Sequence, residues 1–516
     1  MEFWAYFNQY EFSSKESLSR MLNSAFRWSS VFVCLLVWNT GLTDKSFGAC
    51  QADVTLAPIF SDHMVLQQQS TTRIWGKAAP GEEIVVTFNE QVVNGTANAD
   101  GNWSIPIQTP KAGGPHKLEV SRKAGEPKIV LTDVMVGEVW ICSGQSNMEW
   151  PVTAAANPEK EIDAAKEFPQ VRLFTIHHNL MLQPQTDFGR CNQWGGCSPE
   201  SIKSFSATAY FFGRALNRQL NVPIGLINTS WGGTPCESWT SEECLKAGGS
   251  FGGLFERWTA NQDPNNPHRP GVLYNGMIAP LAGFAFRGAI WYQGESNVGR
   301  GEEYARMFPT MIKCWRNNLA GGQPFPFLFV QIAPFRYGGQ DPEAMPEVWD
   351  AQFKSLRSVE ATGMVVTTDI GNVADIHPAN KQDVGNRLSL WALHLAYRGM
   401  MPEGTTAPVF SGPLYREQVV EGKKIRLRFD HAEGGLKTRD GQAPSFFTIC
   451  GADEKFVPAQ AEIDGDSLLV WAEGVETPVA VRFAWLDTAE PNLVNQAGLP
   501  ASPFRTDNFT LKSAGK

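Results

Sequence analysis

Between residues 131 and 399 short apolar runs and longer helix-like stretches take turns, and this alternation constrains the fold most. "EVWIC", "VPIGLINTS", "FRGAIWYQ", "PFLFVQIAP" and "GMVVTTDI" read as strands; "SATAYFFGRALNRQL" and "NKQDVGNRLSLWALHLAYRG" read as helices. Strands interleaved with helices argue for a parallel sheet covered on both faces. In such sheets the chemistry gathers at the carboxyl ends of the strands. Several of these runs pass straight into polar, glycine-containing loops, which is where candidate site residues belong.

On either side the text is β-like. From Asp53 to about Val130, "LAPIFSDHMVLQQ", "TTRIWGKAAPGEEIVVTFN" and "GNWSIPIQTPKAGGPHKLEVS" alternate apolar and polar residues between Pro-Gly, Asp-Gly and Gly-Gly turns. Asp100-Gly101 is a hairpin signal. After Pro402, "KKIRLRFD", "SFFTICG", "DSLLVWAEG" and "TPVAVRFAWLD" return to strand patterns. A chain of 516 residues exceeds one ordinary core. The expected fold class is α/β, a three-layer α/β/α parallel sheet flanked by N-terminal and C-terminal β-sandwich-like modules. Its divisions are expected at 53–130, 131–402 and 403–516.

Residues 1–52 read as an extension with a secretory signal: Arg27, an apolar run over 31–38, then small residues to a cleavage site after Ala52. Met21 makes a more compact start than Met1, and Phe47 fits a lipoprotein box before Cys50 poorly. The apolar run is too short to span a bilayer, so a periplasmic or extracellular protein without a membrane span is expected. In an oxidising compartment Cys191/Cys197 and Cys236/Cys244 are close enough in sequence to pair. No C-x-x-C occurs, and only the adjacent His177 and His178 form a histidine pair, so no structural zinc is expected. A net charge of -9 without a basic stripe argues against a nucleic-acid surface.

Four loops carry complementary chemistry. In "SGQSNMEW" Ser146 follows a strand, where a hydroxyl and a free backbone N–H suit a nucleophile; Met148 breaks the G-x-S-x-G elbow of α/β-hydrolases. In "SWGGTPCESW" Gly232 and Gly233 allow backbone N–H groups to approach an oxyanion. In "WYQGESN" Gln293 offers an amide to the same oxyanion, and Glu295 a carboxylate to orient a histidine. In "DIHPANK" Pro378 disfavours helix at His377, which is thus presented from an extended loop before a helix starting near Asn380.

Together with "YNGMIAPLAGFAFRGAIWYQGESN", "VQIAPFRY" and "VRFAWLDTAEPNLVNQAGLPASPFRTDNF", these stretches closely resemble the sialate O-acetylesterases, from about Ala57 to Phe509. Those enzymes belong to the wider SGNH hydrolase group, alongside acetylxylan esterases of carbohydrate esterase family six. The resemblance implies Ser146 as nucleophile, His377 as general base, and an oxyanion hole from Ser146, Gly233 (or Gly232) and Gln293. Asn147 belongs to the family pattern around the serine, as a substrate-binding position. The usual D-x-x-H would place an aspartate at 374, where this chain has Ala374. The third member is then either Asp375 or Glu295. No metal or organic cofactor is implied.

The implied substrate is O-acetylated sialic acid, with acetylxylan or another acetylated carbohydrate as the rival. A sialic acid carboxylate calls for an arginine, and Arg336 in "APFRY" and Arg300 are the candidates. From another class comes a non-catalytic carbohydrate-binding protein, against which the intact Ser, Gly, Gln and His positions argue.

Overall fold

A computed structural model describes residues 53–248, 251–259, 263–400 and 408–515. The expected signal segment lies outside the described residues. The centre is a parallel sheet of β1 (Gly125–Gly144), β2 (Val171–Thr175), β3 (Ile224–Ser230), β4 (Gly288–Tyr292), β5 (Phe327–Val330) and β6 (Thr362–Val365). Their spatial order is β2-β3-β1-β4-β5-β6, and Gly195–Gly196 adds an antiparallel edge to β2. Strands β3 to β6 are buried at every residue, as a sheet covered on both faces requires.

Four long helices supply the cover: α1 (Ala207–Leu220), α2 (Gly301–Ala320), α3 (Ala344–Ser358) and α4 (Lys381–Ala396). Side chains alternate across a strand, and two tryptophans mark the faces. Trp140 of β1 meets Phe212 of α1 with ring centroids 5.0 Å apart. Trp291 of β4 meets Trp315 of α2 at 5.8 Å. Trp140 is in register with Gly288, three residues before Trp291, so the two indoles point to opposite faces. Helix α1 packs on α4, and α2 on α3. The molecule is thus α/β, with three layers.

Strand β1 is long enough to belong to two sheets. Its first half pairs with Gly113–Arg122, which continues to Glu83–Phe88 and Gln91–Thr96. A separate sheet holds Thr55–Leu56, Thr71–Lys77 and Asn102–Gln108. The turn at Asp100-Gly101 forms, with Gly101 at φ 77°, but the hairpin expected there does not. Gln91–Thr96 pairs with Glu83–Phe88, whereas Asn102–Gln108 pairs with Thr71–Lys77. The cause is packing: a Cβ at Gly95 would lie 2.6 Å from Ile105 Cγ1. The two strands therefore stack face to face in different layers, and the turn is a corner.

The C-terminal segment makes one sheet of Leu414–Glu421, Lys424–Asp430, Gln460–Asp464 and Ser467–Trp471. Another contains Phe447–Cys450, Val457–Pro458, Ala480–Phe483 and Phe504–Arg505. Leu427, Phe429, Ile449, Phe483 and Phe504 share the apolar core of this region. This segment also braces the loop after β5. The Asp487 carbonyl accepts the Phe335 N–H at 2.9 Å, its Oδ2 accepts the Tyr337 N–H at 3.2 Å, and Gln331 Nε2 donates to Ser502 Oγ at 3.1 Å.

The seven described cysteines are free thiols, so the two expected pairs are corrected. Cys197 Sγ turns to the Ala165 carbonyl at 3.5 Å, and buried Cys236 Sγ lies 3.6 Å from Met311 Sδ, each drawn into the core. Among the described residues no helix is long and apolar enough to cross a membrane.

Candidate active site

Strands β3, β1 and β4 end level with one another, Gly144 being in register with both Ser230 and Tyr292. Gly144 is required where β1 stops: its φ is 143°, and a Cβ would lie 2.2 Å from the Tyr292 carbonyl oxygen. The chain then turns into a short helix, Ser146–Glu149, whose first residue presents its hydroxyl beyond the sheet.

His377 approaches from the loop after β6. Arg387 of α4 anchors the start of that loop through a bidentate pair with Asp369 (2.7 and 2.6 Å) and a bond to the Val366 carbonyl at 2.7 Å. Its end is set by Asn380, whose side chain caps α4 by accepting the Asp383 N–H at 3.1 Å. The result is a His377 Nε2 to Ser146 Oγ distance of 2.8 Å. Trp150 lies flat on the imidazole, ring centroids 4.4 Å apart.

The two candidate carboxylates are placed differently. Asp375 Oδ1 accepts the backbone N–H of His377 at 2.9 Å and stands 4.0 Å from its Nδ1, beyond hydrogen-bond reach. Glu295 is buried, and its Oε1 accepts from Asn147 Nδ2 at 2.6 Å. It bonds the residue after the serine and not the histidine. Burial raises the Glu295 carboxyl above its ordinary range, against the Asn147 bond and the Lys381 charge. Burial also lowers His377, helped by the Lys381 charge and opposed by Asp375. A lowered histidine is neutral at neutral pH, as a proton acceptor must be.

Backbone donors stand beside the hydroxyl. Gly232 packs against Ser146, but its N–H donates to Glu149 Oε2 at 2.6 Å. Gly233 is exposed at φ 74°, with open space where a Cβ would stand. Among the described residues neither the Ser146 nor the Gly233 N–H has a hydrogen-bond partner.

The remaining expected residues fall elsewhere. Gln293 is buried, with Nε2 donating to Asn297 Oδ1 at 2.7 Å and to the Thr234 carbonyl at 3.3 Å. Among the described residues that amide bonds inward and makes no hydrogen bond to Ser146. Asn147 is likewise fully buried, its side chain bonded on both sides. Arg300 is held by Glu237 and Glu303 at 2.8 Å each. Arg336 is exposed, and its backbone N–H donates to the Val373 carbonyl on the His377 loop at 3.0 Å.

Sequence reasoning missed Trp150, Glu149, His178 and Trp231. Glu149 Oε1 bonds His178 Nε2 at 2.7 Å, and that imidazole stacks on Trp231 with planes within 5°. The available signal was an aromatic residue beside each of the first two loops. The whole constellation, a hydroxyl beside a neutral base and open backbone donors, suits acyl transfer.

A family model described as carbohydrate esterase, sialic acid-specific acetylesterase, matches residues 136–390. Curated sialate O-acetylesterases from Pongo abelii and Homo sapiens are each 30% identical to the chain, over 91% of it and 94% of their own length. The chain belongs to the sialate O-acetylesterase family. It is accordingly a carboxylic ester hydrolase of the serine type. The same architecture appears in the crystal structure of a carbohydrate acetylesterase from Xanthomonas citri, 37% identical, with a TM-score of 0.80. That match covers 89% of this member of the family and 100% of the Xanthomonas chain.

Proposed function

We propose that the chain removes O-acetyl groups from carbohydrate, with Ser146 as nucleophile, His377 as general base and O-acetylated sialic acid as substrate. The observation that carries this reading is the 2.8 Å contact between His377 Nε2 and Ser146 Oγ at the carboxyl end of the parallel sheet. Neutral His377 takes the hydroxyl proton as the oxygen attacks the acetyl carbonyl, a step worth roughly 10²–10⁴-fold. Asp375 supports the imidazolium electrostatically. The N–H groups of Ser146 and Gly233 hold the oxyanion, where one donor typically contributes about 2.7–4 kcal/mol. His377 returns the proton to the departing sugar oxygen, and water then clears the acetyl-enzyme.

Trp150 and Trp231, each stacked on a histidine, offer aromatic walls for a sugar ring. Arg336 offers an exposed cation beside the His377 loop for the sialic acid carboxylate. A second reading is a neutral acetylated polysaccharide such as acetylxylan, since the 37% identical protein is described as a carbohydrate acetylesterase with no sugar named. Acetate release from O-acetylated sialic acid and from acetylated xylan, by the wild type and Ser146→Ala, separates the two. Release from neither substrate would overturn the reading.

Export is part of the same proposal, supported by Arg27, the apolar run over 31–38 and the small residues before Asp53. Its test is the N-terminal sequence of protein recovered outside the cytoplasm, expected to begin at Asp53.

A further inference from the structure

A lysine buried beside a neutral histidine needs a reason, because taking an ammonium out of water costs free energy that an apolar side chain of similar volume would not. Lys381, the first residue of α4, is completely buried. Its Nζ donates to the Pro378 carbonyl at 2.7 Å and to Asn147 Oδ1 at 2.6 Å. Asn147 turns its own Nδ2 to Glu295 Oε1 at 2.6 Å and to the Ile376 carbonyl at 2.9 Å. The carbonyls on either side of His377 are thus each held by a member of one buried trio, Lys381, Asn147 and Glu295. The same Asn147 is the residue directly after Ser146.

We propose that Lys381 is a positioning residue for the Ser146–His377 pair, tying the loop that carries the histidine to the backbone that carries the serine. The proposal rests on the reading of Ser146 and His377 as nucleophile and base. The 2.8 Å contact joins side chains 231 residues apart, and a misplacement of about 1 Å in such a pair costs on the order of a hundredfold in rate. Asn380 fixes the end of the loop and Arg387 its start, while Asn147, bonded to both Lys381 and the Ile376 carbonyl, ties the His377 segment to the serine's own turn beside the Trp150 stack.

The lysine also acts through its charge. The groups that face it are Glu295 on the loop after β4, Asp375 and His377 on its own loop, and the rings of Tyr292 and Trp150, 5.5 and 5.9 Å from Nζ. Burial brings the ammonium down to about 7, while Glu295 and Asp375 hold it up. Below that pH, where His377 titrates, Lys381 is charged and opposes protonation of the imidazole.

The test is Lys381→Met, with Lys381→Gln beside it as a shorter side chain that still donates to carbonyls. Both are assayed for acetyl ester hydrolysis across pH, with active sites counted by an organophosphonate. Per active site, Lys381→Met is expected to lose at least about tenfold in kcat with KM within about threefold. The acid limb of kcat/KM moves to higher pH in both variants, and Lys381→Gln loses less kcat. A per-site kcat within about threefold of the wild type, or a loss of kcat with the limb unmoved, would overturn the proposal. Should Lys381→Met not fold, the limb of Lys381→Gln decides alone. Ser146→Ala is the control for the underlying reading: if wild-type turnover does not depend on Ser146, the esterase assignment fails, and the positioning role with it.

Discussion

Trp150 lies flat against His377, with ring planes 16° apart and centroids at 4.4 Å, on an imidazole whose Nε2 is 2.8 Å from Ser146 Oγ. The indole is itself fixed by its Nε1–H, which donates to the Ala154 carbonyl at 2.8 Å. With Asp375 out of hydrogen-bond reach of Nδ1, the mechanism proposed above leaves to this stack much of the orienting that a bonded carboxylate usually does. Trp150→Ala is expected to lower kcat about tenfold, equivalent to about 1.4 kcal/mol, and Trp150→Phe to recover part of it. Steady-state kinetics on a soluble acetyl ester checks both; unchanged kcat in Trp150→Ala would remove the stack from the mechanism.

Burial and the Lys381 charge lower the His377 pKa and Asp375 raises it, with the net result below the ordinary histidine value of about 6.5. The proposed base works when neutral, so activity is expected to be lost as pH falls through that lowered value. Removing the negative neighbour lowers it further. Asp375→Asn should therefore move the acid limb of kcat/KM to lower pH, while the loss of imidazolium support reduces the plateau about tenfold. This shift is opposite in sign to the one expected for Lys381→Met. If Glu295→Gln moves the limb and Asp375→Asn does not, the supporting carboxylate is Glu295 after all.

The fold was largely legible, and the reasons are local. Strands such as 288–292 and 327–330 are apolar at every position because both faces are buried, so they stand out from their surroundings. Helix α2 was obscured by Pro309 in its interior, a residue that normally ends a helical pattern. The corner at Asp100-Gly101 was misread because a turn signal reports the turn, not the partner of the strands it joins. Within the site, the two loops singled out in the sequence are the ones that bring Ser146 and His377 to 2.8 Å of each other. The direction of a side chain was not: Gln293 and Asn147 are polar residues in a polar loop, and only tertiary packing turns them inward. The distances of Asp375 and Glu295 from the imidazole are likewise something spacing does not encode.

Gly144 makes the strand end possible. At φ 143°, and with a Cβ position 2.2 Å from the Tyr292 carbonyl oxygen and 2.8 Å from its carbon, any side chain collides with backbone that cannot move aside. Gly144→Ala is expected to destabilise the protein by about 4 kcal/mol or more, seen as a large drop in Tm or as loss of soluble protein. Gly233→Ala is the contrast. Its Cβ would meet nothing within 4 Å, so only the strain of φ 74° remains, about 1 kcal/mol. An equal loss of stability in both variants would contradict this account.

Arg336 bears on which sugar the site accepts. Its side chain is exposed and feels the charge of Asp487, whereas Arg300 is bonded to Glu237 and Glu303, so Arg336 is the one of the two open to a substrate carboxylate. The backbone of Arg336 is held on the His377 loop through Val373 and flanked by the Asp487 contacts to Phe335 and Tyr337. The guanidinium is therefore anchored at its base, whatever the substrate. A hydrogen bond to a charged group contributes about 1.5–3 kcal/mol, less when exposed, so Arg336→Gln should raise KM for O-acetylated sialic acid about fivefold to tenfold. An acetylated neutral sugar carries no carboxylate, and its KM should not change. Equal effects on the two substrates would assign Arg336 to the loop's stability, and an effect on neither would place the carboxylate elsewhere in the cleft.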